Sequence, residues 1–302
     1  YLETLKQEAI AKLARELLEA RRLDVEAAEA RFRIATASES DLLGARIEAS
    51  RQEAALFDAE AEAAKAREGL AVLLGLTHLD GYRVRDTFSE EDLDPARLDL
   101  DALTAKSALH PAVLRREAEL DAASRTAWIR RSAYLPSLWL SLGLSRSETQ
   151  GAEGDFVVLD PENRSTFLSI GASWSLFDGF QRQVENARAG AERDAARYAA
   201  AQARREQEAV IRNAHRDLQS AHRRLRLAGE SLDLARRRVR IARERYRLGS
   251  AEMPFWALQE VLRQATEAER EAVAARYDYL QAAADLEGAV GEPLASWTGT
   301  SP

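Results

Sequence analysis

A run without proline, from Phe180 to Leu248, constrains this chain more than any other feature. Apolar residues recur along it at helical spacing, as in Leu225, Leu232, Leu234, Val239, Ile241 and Tyr246. One helix of that length extends about 100 Å, which no compact globular domain needs. The chain is therefore expected to be built of long helices lying side by side. Its composition agrees: of 302 residues, 31% are charged and 46% hydrophobic, largely Ala and Leu, with only 7 prolines, the profile of long helices or coiled coils. No uninterrupted apolar run approaches the roughly 20 residues a membrane-spanning helix requires.

Turn chemistry says where the helices double back. Gly249 sits where a left-handed C-cap is wanted, and Pro254 sits where the next helix begins. Ser38 and Asp41 form an S-x-x-D capping box for a second returning helix. The two predicted helical hairpins are related in sequence. RFRIATASESDLLGARIEASRQEAAL, from Arg31, aligns with RYRLGSAEMPFWALQEVLRQATEAER, from Arg245, matching Phe32 with Tyr246, Arg33 with Arg247 and Ala35 with Gly249. Each hairpin ends in a small motif, LAVLLG at Leu70 to Gly75 and LEGAVG at Leu286 to Gly291.

Residues 1–75 thus form a first repeat, 76–109 a connecting segment, 110–291 a second repeat and 292–302 a tail. The second copy has a lead-in from His110 to Ala214, and its helical hairpin covers 180–291. The first copy has no counterpart of that lead-in before Tyr1. The expectation is that a complete first repeat carries on the order of a hundred further residues in front.

The lead-in breaks the helical pattern. After a helix opened by Pro111 and stopped ahead of Pro136, YLPSLWLSLGLSRSE alternates strictly: Leu138, Leu140, Leu142 and Leu144 on one face, Ser137, Trp139, Ser141, Gly143 and Ser145 on the other. STFLSIGASWSLF repeats the alternation, with Leu168, Ile170, Ala172, Trp174 and Leu176 sharing a face. Together they predict a β-hairpin within 134–177, joined by a polar loop from about Arg146 to Arg164. About ten residues is the length a tilted strand needs to cross a bilayer. A lone hairpin is not a stable sheet, and no further strand is visible to complete one. A barrel closed from several chains would satisfy the edges, with leucines toward lipid and serines toward a wet lumen. Trp174 and Tyr134 suit an aromatic girdle. The alternative is a hairpin half-buried on a soluble core, in a coiled-coil scaffold or adaptor with no channel.

Catalytic constellations are not found. His215 and His222 stand two helical turns apart, about 10 Å, too far to share a metal without other ligands, and His78 and His110 lie in or beside the connecting segment. Acid pairs such as Glu206 with Glu208, or Glu267 with Glu271, have arginines at helical pairing distance. The chain has no cysteine and no Gly-rich phosphate loop after a strand, so no enzyme activity and no cofactor or metal are expected. A net charge of -7 argues against nucleic acid as a partner, despite the arginines between His215 and Arg247.

These motifs resemble the TolC-type outer-membrane efflux proteins of Gram-negative bacteria. HPAVLRREAELDAA, YLPSLWLSLGLS and WSLFDGFQRQVENARA are similar to that family's N-P-x-L helix start, L-P-S-L strand and F-D-G-G return to helix. RYRLGSA and RFRIATASESDLLGAR resemble its tip motifs Y-x-x-G and G-x-A-S-x-x-D-L-L, the second with Ala35 in place of the glycine.

The resemblance implies a mainly α fold with a β-hairpin. Long antiparallel helical hairpins would form a periplasmic α-barrel, and strands would join a transmembrane β-barrel shared by a homotrimer in outer-membrane lipid. It implies a passive exit duct for small molecules or proteins, docked on a periplasmic adaptor (membrane fusion) protein and driven by an inner-membrane pump. The family gives four strands per chain where two are visible here. Carried onto this sequence, adaptor-docking tip positions are Arg33, Thr36, Ser38, Asp41, Arg247, Gly249 and Ser250. Tyr246, Phe255 and Trp256 are candidates for an apolar gate, the alternative for Phe255 and Trp256 being core packing between helices, and Leu138, Leu140, Leu142, Leu144, Leu168, Ile170, Trp174 and Leu176 are expected to face lipid. The family's carboxylates six and nine residues past the second tip glycine are Phe255 and Leu258 here.

Overall fold

The computed structural model describes residues 1–34, 37–77, 84–85, 94–146, 164–248 and 253–293. Six α-helices carry most of them: α1 (Leu2–Arg33), α2 (Glu39–Leu73), a short α3 (Leu100–Ala105), α4 (Pro111–Ser132), α5 (Gln181–Arg247) and α6 (Phe255–Val290). Two strands, β1 (Ser137–Arg146) and β2 (Arg164–Ser173), lie between α4 and α5. The unbroken α5 runs over 67 residues, as its proline-free sequence requires. No helix is long and apolar enough among the described residues to cross a membrane, which says nothing about a β-barrel.

The chain forms two compact units, one of residues 1–107 with 207–302, the other of 108–206. Repeats and units do not coincide: the first unit holds the helical hairpin of the first copy with residues 207–291 of the second, while residues 181–206 of α5 belong to the other unit.

In that unit the helices pack in the row α2, α1, α6, α5. Ala11 and Ala14 of α1 meet Ala59 and Ala63 of α2, a contact of small side chains that lets the two backbones approach closely. Leu5 of α1 packs with Tyr277 and Leu280 of α6. Across from α5, Ile211, Leu218 and Ala221 pack with Tyr279, Ala283 and Leu286 of α6, and with Leu98 and Leu103 from the connecting segment. Each buried Leu or Ile here contributes roughly 1.5–3 kcal/mol. His215 is buried beside this core and bonds the Pro95 backbone; burial holds its imidazole below the usual pKa, so it is neutral. Both repeats stop their second helix on a glycine in the left-handed region, Gly75 (φ 70°) and Gly291 (φ 83°). Leu76 N–H reaches the Ala71 carbonyl at 2.9 Å and Gly75 N–H that of Val72 at 3.1 Å, the paired bonds of a Schellman end.

In the second unit α4 starts on His110, whose Nδ1 accepts the Ala112 N–H at 3.3 Å, with Pro111 in the first turn. It runs antiparallel to the start of α5, tied by Arg130 to Glu185 at 2.9 Å and by Arg204 to Glu117. The strands pair antiparallel, Ser137 opposite Ser173 through Leu142 opposite Leu168 to Arg146 opposite Arg164. Leucines and serines separate onto two faces as the alternation predicts. The expected second strand, however, is too long: β2 stops at Ser173, so Trp174 and Leu176 lie beyond it. The next residue opposite Trp174 is Pro136, which has no N–H to give the ladder. Trp174 instead donates its Nε1–H to the Tyr134 carbonyl at 3.3 Å.

Chain return from strand to helix depends on Asp178. Its Oδ2 accepts from the Arg182 backbone N–H (3.1 Å) and from Arg182 Nε (2.7 Å), capping α5. Gly179 and Phe180 both take positive φ, 67° and 69°, and the Phe180 ring stands edge-on to Phe177 with centroids 5.8 Å apart. Gly179→Val would put a β-branched side chain into that left-handed position, and a loss of about 2 kcal/mol is expected in thermal or denaturant unfolding. Gly179→Asn should cost far less, because Asn tolerates this region.

Candidate functional site: the helical tip and the β-hairpin

At the end of the first unit where α1 and α2 meet α5 and α6, the expected capping box is formed. Asp41 N–H donates to Ser38 Oγ at 3.1 Å, and Ser38 N–H to Asp41 Oδ2 at 3.2 Å. Arg31 joins the two repeats here. Its Nη1 donates to the Tyr246 carbonyl at 2.8 Å, and its guanidinium lies 4.2 Å from the Tyr246 ring centroid. Burial raises the Tyr246 phenol above its usual pKa, with Arg31 pulling the other way, so it stays un-ionised at neutral pH.

Of the gate positions, Phe255 packs on Ala28, Leu42 and Ala45 and lies 6.1 Å from the Tyr246 ring. A Cβ on Gly44 would come within 2.8 Å of the Phe255 ring. Trp256 is exposed. Among the tip positions Arg33 and Ser38 are exposed, as is Arg247, which pairs with Glu244 at 2.7 Å. Thr36, Gly249 and Ser250 lie outside the described residues.

One turn further from the tip lies a charge cluster that pattern reading missed. Asp24 of α1 stands 3.5 Å from Arg21 and 3.4 Å from Arg243 of α5. Arg21 is 8% exposed. Burial lowers its pKa, partly offset by Asp24, and burial raises that of Asp24 against the pull of Arg243 and then Arg21. Such a cluster fixes geometry more than it stabilises, because desolvation consumes most of the Coulombic gain. The signal for it was present: Ala14, Leu18, Arg21 and Ala28 are buried along one stripe of α1, so Arg21 occupies a core position.

The second candidate surface is the hairpin. Leu138, Leu140, Leu142 and Leu144 are 79%, 69%, 66% and 78% exposed, and Leu168 and Ile170 opposite them are exposed as well. Trp174 and Leu176, past the strand end, are also exposed. On the serine face each strand offers one glycine to an aromatic of the other. Trp139 lies over Gly171 and Phe167 over Gly143, so close that a Cβ on either glycine would fall about 2.2–2.3 Å from the ring. Among the described residues the sheet has two strands only, leaving both outer edges unpaired.

Residues 103–292 match the model of the family described as outer membrane efflux protein. Protein CyaE of Bordetella pertussis is 29% identical over 201 residues, covering 63% of this chain but 39% of that relative. The chain thus spans well under half the length of this curated relative. Among solved structures, CusC is similar with a TM-score of 0.81 at 16% identity, over 97% of this chain and 66% of that one. The outer membrane protein VceC of Vibrio cholerae gives 0.77 at 17% identity, over 97% and 68%. A membrane protein from Pseudomonas aeruginosa gives 0.78 at 18%, over 96% and 66%. These likenesses establish a shared fold, mainly helical with one antiparallel strand pair. Since the family model covers well over half of the sequence, the chain belongs to the outer membrane efflux protein family.

Proposed function

We propose that this chain is part of the wall of a passive exit duct in the outer membrane. Three copies would share a closed β-barrel, with leucines toward lipid and the Trp139 and Phe167 face toward the lumen. The helices would extend into the periplasm. The observation that carries this reading is the bare leucine face on a ten-residue strand pair with two open edges. In lipid, unpaired backbone groups cost several kcal/mol each, so closure into a barrel is the arrangement compatible with that face. Family membership supports efflux as the task, and nothing in the chain's chemistry provides energy, so an inner-membrane pump would supply it. The repeat division into 1–75 and 110–291 and the membership of 134–177 in the barrel belong to the same proposal.

The tip is the docking end, with Arg33, Thr36, Ser38, Asp41, Arg247, Gly249 and Ser250 toward a periplasmic adaptor. Tyr246, with Phe255 packed behind it, closes the passage, and Trp256 is free to contact a neighbour. Cysteine placed at Ser38 or Arg247 of the full-length protein should cross-link to a co-expressed adaptor, whereas cysteine at Ser141 in the hairpin should not. Absence of adducts from every tip site, with the adaptor present in the same membranes, would sink the docking assignment.

A further inference from the structure

Three helices each turn one face toward a common cleft in the first unit. α1 offers Leu17, Ala20 and Arg21, and α6 offers Leu262, Ala265 and Glu269. From α5 come Val239 and the arginines Arg236, Arg237, Arg240 and Arg243. Side chains three and four residues apart share a helix face, so each set acts as one surface. The cleft measures about 580 Å³, within the size range of small-molecule sites. Its lining also combines the two parts such sites need, an apolar bed and converging polar groups.

The charges around it do not balance. Five arginines line the cleft against two carboxylates, Asp233 and Glu269. Even with Asp24 counted beside Arg21 and Arg243, two positive charges are left over. Arg236 pairs with Glu269 at 3.5 Å and Arg243 with Asp24 at 3.4 Å, whereas Arg237 and Arg240 have no ion pair among the described residues. Like charges at three- and four-residue spacing repel along a helix, so the ladder of Arg236, Arg240 and Arg243 is strained by its own charge. Arg21 adds an independent observation. It is 8% exposed, and its buried Nη1 makes no hydrogen bond, Asp24 Oδ2 standing 3.5 Å off and making none either. Buried donors in native proteins are nearly always satisfied, because an unmade bond leaves the desolvation cost unopposed.

We propose that this cleft binds a small amphipathic dianion, of which an aryl phosphate monoester is the simplest form. The phosphate oxygens accept from the guanidinium groups, whose planar forks match them, and the ring lies on Leu17, Val239 and Leu262. A monoester carries close to two negative charges at neutral pH, which matches the surplus. Arg21 belongs to the first repeat and the other four arginines to the second, so a bound dianion also ties the two repeats together. The site stands on these residues alone and does not depend on the duct reading.

Phenyl phosphate titrated calorimetrically into the full-length protein, in non-ionic detergent at low salt, tests the site. It should bind about tenfold more tightly than inorganic phosphate, which lacks the ring, and than benzoate, which carries one charge. Arg237→Gln with Arg240→Gln removes two exposed, unpaired charges and should weaken phenyl phosphate about tenfold or more. Arg223→Gln with Arg224→Gln makes the same charge change about 20 Å along α5 and should leave binding unaltered. Failure of the parent to bind phenyl phosphate overturns the proposal. So does inorganic phosphate binding as tightly, or an equal loss in the two double variants.

Discussion

Leu142→Arg is expected to abolish stable insertion of the hairpin, whereas Ser141→Arg on the adjacent residue is tolerated. Leu142 lies mid-strand, opposite Leu168, on the exposed leucine face. An arginine facing lipid at the bilayer midplane costs about 2–4 kcal/mol, and in a homotrimer the cost recurs in every copy. Ser141 lies opposite Ser169 on the other face, where a lumen supplies water. Urea titration of the full-length protein folded into lipid vesicles reads the difference, and so does the folded fraction recovered from outer membranes. Equal sensitivity of the two positions would mean that the faces do not divide lipid from lumen. Reversed sensitivity would invert the hairpin.

The second large effect is expected at Asp24. Asp24→Ala removes the carboxylate between Arg21 and Arg243 and leaves a nearly buried guanidinium with only the Coulombic pull of Glu48. Fully buried pairs broken on one side lose 3–5 kcal/mol; Asp24 keeps 19% side-chain exposure, so a loss of about 3 kcal/mol is expected. Replacing both partners, Arg21→Leu with Asp24→Leu, should return stability to within about 1 kcal/mol of the parent. Burial raises the folded pKa of Asp24 above its ordinary value. Folding therefore favours its protonated form to some extent, and that protonation-linked component of stability, full below the unfolded value, is lost as pH rises through the folded one, separately from the cost of deleting the side chain. Asp24→Asn should remove this component from the pH profile. Thermal unfolding of the single and double variants checks the pair. A double variant as unstable as Asp24→Ala would mean that the carboxylate does something other than compensate Arg21.

Local chemistry explains what could be read early. Pro111, Pro136 and Pro254 mark boundaries because a missing N–H and a fixed φ act on the residue itself. The Ser38–Asp41 box forms because its partners are three residues apart. The leucine alternation survives because period two and a strand are the same statement. The error at Trp174 has the opposite origin: whether a residue continues a strand depends on the residue across the ladder, here Pro136, which β2's own pattern does not contain.

The unbroken run of α5, the Ser38–Asp41 cap, the helix start after Pro254, the strand pair and its two faces were thus determined by the amino-acid sequence alone, since each rests on local pattern. Only the tertiary structure decided that Asp24 meets Arg243, that Arg31 stacks on Tyr246, that Phe255 fills the space over Gly44, and that α2 and α5 end the row. Those outcomes depend on residues more than two hundred positions apart along the chain, and on burial, which turns an ordinary surface charge into a costly one.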